Sequence, residues 1–111
     1  MTPTVFTAIN IGMPAVCRDK HLAKTGHACT TMAPVVARPS MVFINGKLVA
    51  RLGDPLKPHT IKVGRKCLGH GANVNKGSTT VFAHGIPIAR IGDSADKGAM
   101  AQGSPTVFAG G

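Results

Sequence analysis

A chain of 111 residues is one domain by length, large enough for a small core but near the size at which an added staple matters. Apolar residues make up 43%, yet only four are aromatic, there is no Glu, and 14 Gly with 8 Pro break the chain into short pieces, which favours strands and turns over helices. Thirteen Lys and Arg against four acidic residues give a formal charge of +9, which points to an anionic partner (nucleic acid, a membrane surface or an acidic protein) or else to a plain solvated surface.

The N-terminal stretch 1–12 lacks a basic region followed by an apolar run, and no segment reaches the roughly 18 apolar residues of a membrane helix, so synthesis in the cytoplasm without a signal peptide is expected. Its "TPTVF" at 2–6 is echoed by "SPTVF" at 104–108, which marks it as an additional strand copy preceding the domain at 13–111. Next comes "PAVCR" at 14–18 and a loop region over 17–34. The first long element, "VFINGKLVARLGD" at 42–54, aligns without gaps to "VFAHGIPIARIGD" at 81–93, with seven of thirteen positions identical. Each copy reads as a β-hairpin turning at Asn45-Gly46 or His84-Gly85, because both central residues of such a turn need positive φ. The Gly-Asp pairs at 53–54 and 92–93 read as exits into loops over 54–76 and 93–102. The expected fold is small and all-β, built of repeated hairpins with the Phe side chains meeting in equivalent places.

The three Cys are an odd number, which excludes a complete disulfide framework and fits a reducing compartment. The loops 17–34 and 54–76 hold all of them and four of the five His. "KCLGHG" sets Cys67 and His70 three apart, a turn spacing that lets two side chains face one ion, with His59 earlier in the same loop and His27 in the other. His27, His59, Cys67 and His70 therefore form a candidate zinc site, with His21, Cys17 and Cys29 as rival ligands; His84 reads as a turn residue. A hydrolytic zinc needs an open position and a general base, commonly Glu, so a closed structural site fits this Glu-free chain better.

"LVAR" at 48–51, "PIAR" at 87–90 and "PAVCR", with "GSTTVF" at 77–82 and "GSPTVFAGG" at the end, resemble the proline-alanine-alanine-arginine motifs of PAAR-repeat proteins over about residues 13–111. The resemblance implies a small cone of β-hairpins with pseudo-threefold symmetry. Such a cone caps a trimeric VgrG-like or phage central spike in a contractile injection system, either a type VI secretion apparatus or a contractile phage tail. It also implies one structural zinc held by three His and one Cys, carried onto His27, His59, Cys67 and His70. The chain would then sit at the spike apex and enter the target cell envelope, with any effector cargo a separate protein and with no enzyme activity of its own. Its base would bury Val42, Phe43, Val81, Phe82, Val107 and Phe108 against the spike, unless these are internal core. Two rival readings are a basic zinc protein that binds nucleic acid and a small zinc hydrolase. The first expects aromatic residues among the basic ones, whereas the Phe all occupy apolar hairpin positions, so no specific nucleic acid is expected.

Overall fold

The computed structural model describes residues 13–111; the segment 1–12, with its expected extra strand, lies outside them. Among the described residues there are ten short strands and no helix: β1 (Leu22–Lys24), β2 (Met32–Pro34), β3 (Phe43–Ile44), β4 (Lys47–Leu48), β5 (His59–Val63), β6 (Lys66–His70), β7 (Phe82–Ala83), β8 (Ile86–Pro87), β9 (Ser94–Ala95) and β10 (Gly98–Met100). They form a four-stranded antiparallel sheet, β2-β1-β10-β9, and three separate hairpins, β3-β4, β5-β6 and β7-β8.

Two of the hairpins are those the repeat predicts. Asn45 and Gly46 have φ of 51° and 79°, and His84 and Gly85 have 51° and 75°, the doubly positive pattern of a two-residue turn. Each is preceded by a serine that closes a small turn, Ser40 and Ser78, and Ser104 closes the same turn near the C-terminus. Ser78 Oγ accepts from the amides of Thr80 and Val81, Ser104 Oγ accepts from those of Thr106 and Val107, and Ser40 Oγ accepts from Val42. The regions read as loops contain six of the ten strands, a correction with a clear cause. Strands of two to five residues, interrupted by glycine and dense in lysine, leave too short a period-2 signal to recognise.

Three equivalent arms meet at the centre. Cys17 N donates to Ala89 O at 2.9 Å, Ala89 N to Ala50 O at 2.8 Å, and Ala50 N to Cys17 O at 3.0 Å, closing a ring of backbone hydrogen bonds. The flanking bridges close the same cycle: Arg18 with Val49, Arg51 with Ile88, and Arg90 with Val16. Because side chains alternate along an extended chain, the ring divides two apolar layers. Cys17, Ala50 and Ala89 belong to one buried cluster with Val35, Leu56, Val74, Ala95 and Met100; Val16, Val49 and Ile88 belong to the other, with Ala83 and Ala109. Small side chains are what a threefold convergence admits, and no Phe enters either cluster. Phe43 and Phe82 are more than half exposed, which corrects the expectation that the Phe side chains meet.

The turn after each ring residue is also repeated. Arg51 N donates to Asp54 Oδ2 and Arg90 N to Asp93 Oδ2, both at 2.8 Å, while Arg18 N donates to His21 Nδ1 at 2.9 Å. The return bonds, from the amides of Asp54, Asp93 and His21 to Arg51, Arg90 and Arg18, are each 3.0 Å, and the intervening Gly53, Gly92 and Lys20 have φ of 88°, 91° and 70°. The Gly-Asp pairs are thus turn closures with buried aspartates rather than loop exits, and the first arm uses histidine where the others use aspartate. Burial, then the positive charges of Arg18 and Lys47, holds His21 below its ordinary pKa.

Close packing of β10 on β1 depends on Gly98, where a Cβ would lie 1.9 Å from Lys24 O. Gly98→Ala is expected to cost about 3 kcal/mol in a urea titration, since backbone must move to admit the methyl group.

Candidate metal centre

The histidine sites are assembled by strand pairing. In the β5–β6 hairpin His59 pairs directly with His70, so both side chains rise from one face. His27 comes from the chain leaving β1. Gly26, at φ 78°, lets that chain pass against Lys97, whose backbone a Cβ would meet at 2.8 Å. Thr25 fixes the loop: its Oγ1 donates to Thr30 O and accepts from His27 N, and its backbone O accepts from Lys97 N. The same contact brings in the β9–β10 turn, where Asp96, at φ 55°, aims its carboxylate at the histidines.

His59 Nε2 lies 2.7 Å from Asp96 Oδ2, and His27 Nε2 and His70 Nε2 lie 2.9 and 3.2 Å from Oδ1. The ring centroids are 4.9 to 6.0 Å apart, and all four donor atoms fall within 4.8 Å of one another. The His59 side chain is 2% exposed and that of Asp96 4%, against 28% for His70, so the cluster is most open at His70. Burial alone would raise the Asp96 carboxyl, but hydrogen bonds from His27, His59 and His70 outweigh it and hold the group below its ordinary value.

Of the four expected ligands, the structure brings together His27, His59 and His70. Cys67 goes elsewhere: its sulfur is bonded to that of Cys29, and Asp96 stands as the fourth donor. The spacing argument treated "KCLGHG" as a turn, but it is strand β6, in which residues three apart point to opposite faces. His70 therefore joins His59 on one face while Cys67 turns to the other, where Thr30 bonds Thr60 and Cys29 is in reach. The expected His₃Cys set is replaced by three imidazoles and a carboxylate. Asp96 left no signal in the sequence, because its segment carries no histidine or cysteine and only the fold brings its turn to the cluster.

The donor set suits a divalent transition metal such as zinc, which takes imidazole nitrogen and carboxylate oxygen in fourfold sites. His59 adds a chemical argument. Its Nδ1 lies 3.0 Å from Lys57 O and its Nε2 2.7 Å from a carboxylate, so both ring nitrogens face acceptors. That arrangement needs a proton on each nitrogen or a cation at Nε2, and an Nδ1–H directed at a backbone carbonyl is the usual outer support of a metal-binding imidazole.

The rival ligands are placed as well. Cys29 is in the disulfide, and His21 closes the first arm's turn. Cys17 is wholly buried; burial first, and then the charge of Asp93, push its thiol up to about 12, with Arg90 opposing. Alkylation of the native, reduced protein is expected to modify Cys29 and Cys67 and to spare Cys17 until denaturant is added, as read by peptide mass spectrometry. Reduction alone should lower stability by about 2–4 kcal/mol, since the bridge closes a long loop.

At the opposite apolar layer, Val42 and Val107 pack half-buried on the cluster of Val16, Val49 and Ile88, while Phe43, Val81, Phe82 and Met41 are exposed and Phe108 is half-buried.

A family model for the PAAR motif matches residues 64–111, a span that includes His70, Asp96 and the third arm. No curated protein matches the chain.

Proposed function

Since residues 64–111 carry the PAAR motif, we propose that this chain is the metal-stabilised tip of a contractile injection system, capping a trimeric β-helical spike in a phage tail or a type VI secretion apparatus. The observation that carries the reading is the closed ring of Cys17, Ala50 and Ala89, which gives a single chain three equivalent arms and hence a means of meeting a threefold partner. Phe43 and Phe82, in equivalent hairpins with φ-matched turns, are exposed apolar groups of the kind an interface buries, and Val42, Val81, Val107 and Phe108 adjoin them.

The metal would be zinc, held by His27, His59, His70 and Asp96, and it would cross-link the β5–β6 hairpin to the β1 and β9–β10 segments of the four-stranded sheet. The chain's own residues do the positioning. The β5–β6 pairing sets His59 and His70 side by side, Thr25 fixes the approach of His27, and the positive φ of Asp96 directs its carboxylate inward. The role is structural. Asp19, Asp54 and Asp93 are each engaged by other partners, Ala37 N, Arg38 with Arg51 N, and Arg90, which argues against a free carboxylate acting as a base beside it.

The test is light scattering of the chain mixed with trimeric β-helical spike proteins of contractile injection systems. One chain per trimer, lost in Phe43→Asp/Phe82→Asp, supports the reading; no complex with any such trimer would sink it.

A further inference from the structure

The β5–β6 hairpin contains more than the histidine pair at its root. Pairing continues outward from His59 and His70 through Ile61 with Leu68 to Val63 with Lys66, all on one face, and the chain turns at Gly64-Arg65. Four residues of extended chain carry this face about 13 Å beyond the histidines. No other strand pairs with β5 or β6 among the described residues, and the contacts from Cys29 and Thr30 fall on the face opposite the histidines.

Its composition is unusual for a solitary hairpin. Val63 is 50% and Leu68 47% exposed, and they are diagonal neighbours on the face that carries the histidines. Lys66 is exposed on the same face, Arg65 in the turn and Lys62 on the opposite face, and residues 59–70 contain no acid. None of the chain's four carboxylates pairs with these cations, because each is committed to Arg38, Arg90, a backbone amide or the histidine cluster. The root is held by the histidine cluster on one face, and nearer the tip the Cys29–Cys67 bridge ties the opposite face beside Lys62, so the face carrying Val63 and Leu68 is presented on a fixed support.

We infer that the outer β5–β6 hairpin is a docking element for an anionic lipid surface, with Val63 and Leu68 entering the acyl boundary while Lys62, Arg65 and Lys66 bind lipid phosphates. Charge complementarity selects an anionic partner, and the apolar pair selects lipid. A nucleic-acid surface would call for aromatic groups to stack on bases, and the hairpin has none. The inference deepens the spike-tip reading and rests on it for the place where the contact would be made. Binding is nevertheless measured on the chain alone, so its failure leaves spike capping standing, and the reverse also holds.

The experiment is co-sedimentation of the intact protein with vesicles of phosphatidylcholine, with and without phosphatidylglycerol, over a salt series. The expected result is binding only to the phosphatidylglycerol vesicles, weakening with salt. Lys62→Gln/Arg65→Gln/Lys66→Gln should reduce it on the order of 100-fold, and Val63→Ser/Leu68→Ser by about 10-fold at unchanged charge. Metal content and melting temperature, unchanged in both variants because every substituted side chain is exposed, establish that the fold is intact. Equal binding to neutral vesicles, no binding, or variants that match the parent would overturn the inference. So would single-stranded oligonucleotide binding that needs the cations but not the apolar pair, which would assign the hairpin to nucleic acid. A dimer abolished by Val63→Ser/Leu68→Ser would assign it to a second copy.

Discussion

His59→Ala is expected to purify without metal and to melt roughly 15 °C or more below the parent chain, the equivalent of more than ~3 kcal/mol at this chain length. His59 is the most buried of the three imidazoles, the one whose outer nitrogen is fixed by a backbone carbonyl, and the partner of His70 across the hairpin. Losing it removes a donor and leaves Asp96 buried with fewer partners. Asp96→Ala should also lose the metal, whereas Cys67→Ser should keep it and lose only what the disulfide contributes. Metal analysis by mass spectrometry with thermal melts of the three variants separates these outcomes. Retention of metal in Asp96→Ala together with its loss in Cys67→Ser would reinstate the cysteine as the ligand.

Asp93→Ala is expected to cost about 3–5 kcal/mol, the range for stripping one partner from a buried ion pair. Both side chains are more than nine-tenths buried, and the guanidinium grips the carboxylate twice, Nη2 to Oδ1 at 2.9 Å and Nε to Oδ2 at 3.0 Å. The hydrogen bond from Arg90 to Asp93 is also the main reason the arginine is held above its ordinary value, so truncation would leave a buried cation with only the carbonyls of Ala109 and Gly110. The paired change Arg90→Met/Asp93→Leu, which removes both charges, should recover part of the loss in a denaturant titration. Asp54→Ala should behave differently in kind: Asp54 binds the half-exposed Arg38 rather than Arg51, so what is lost there is the turn closure at Arg51 N and a contact that solvent can replace. Equal costs for the two aspartates would contradict this distinction between arms with the same sequence motif.

How far the sequence discloses this molecule depends on the range of the interaction involved. The turns at Asn45-Gly46 and His84-Gly85 are legible because positive φ is a local demand that few residues meet, and the 39-residue repeat identifies two arms. The first arm is concealed by chemistry: His21 replaces the aspartate and Lys20 the glycine, while the backbone bonds remain the same. Strand β6 is concealed by composition, and reading it as a turn put Cys67 beside His70 when strand alternation sets them on opposite faces. Asp96 is a purely tertiary neighbour, 37 residues from His59 and 69 from His27, and no local pattern could nominate it. The exposure of Phe43 and Phe82 likewise follows from the narrow convergence of three arms, where Cys17, Ala50 and Ala89 meet between layers of aliphatic side chains.

The account's central claim, a closed site of three imidazoles and one carboxylate with no thiolate, is tested most directly by X-ray absorption at the zinc edge on the purified, zinc-loaded protein. The predicted spectrum has a first shell of four nitrogen and oxygen scatterers near 2.0–2.1 Å and no sulfur. A sulfur scatterer at about 2.3 Å would contradict it, placing a cysteine on the metal and Asp96 outside the shell.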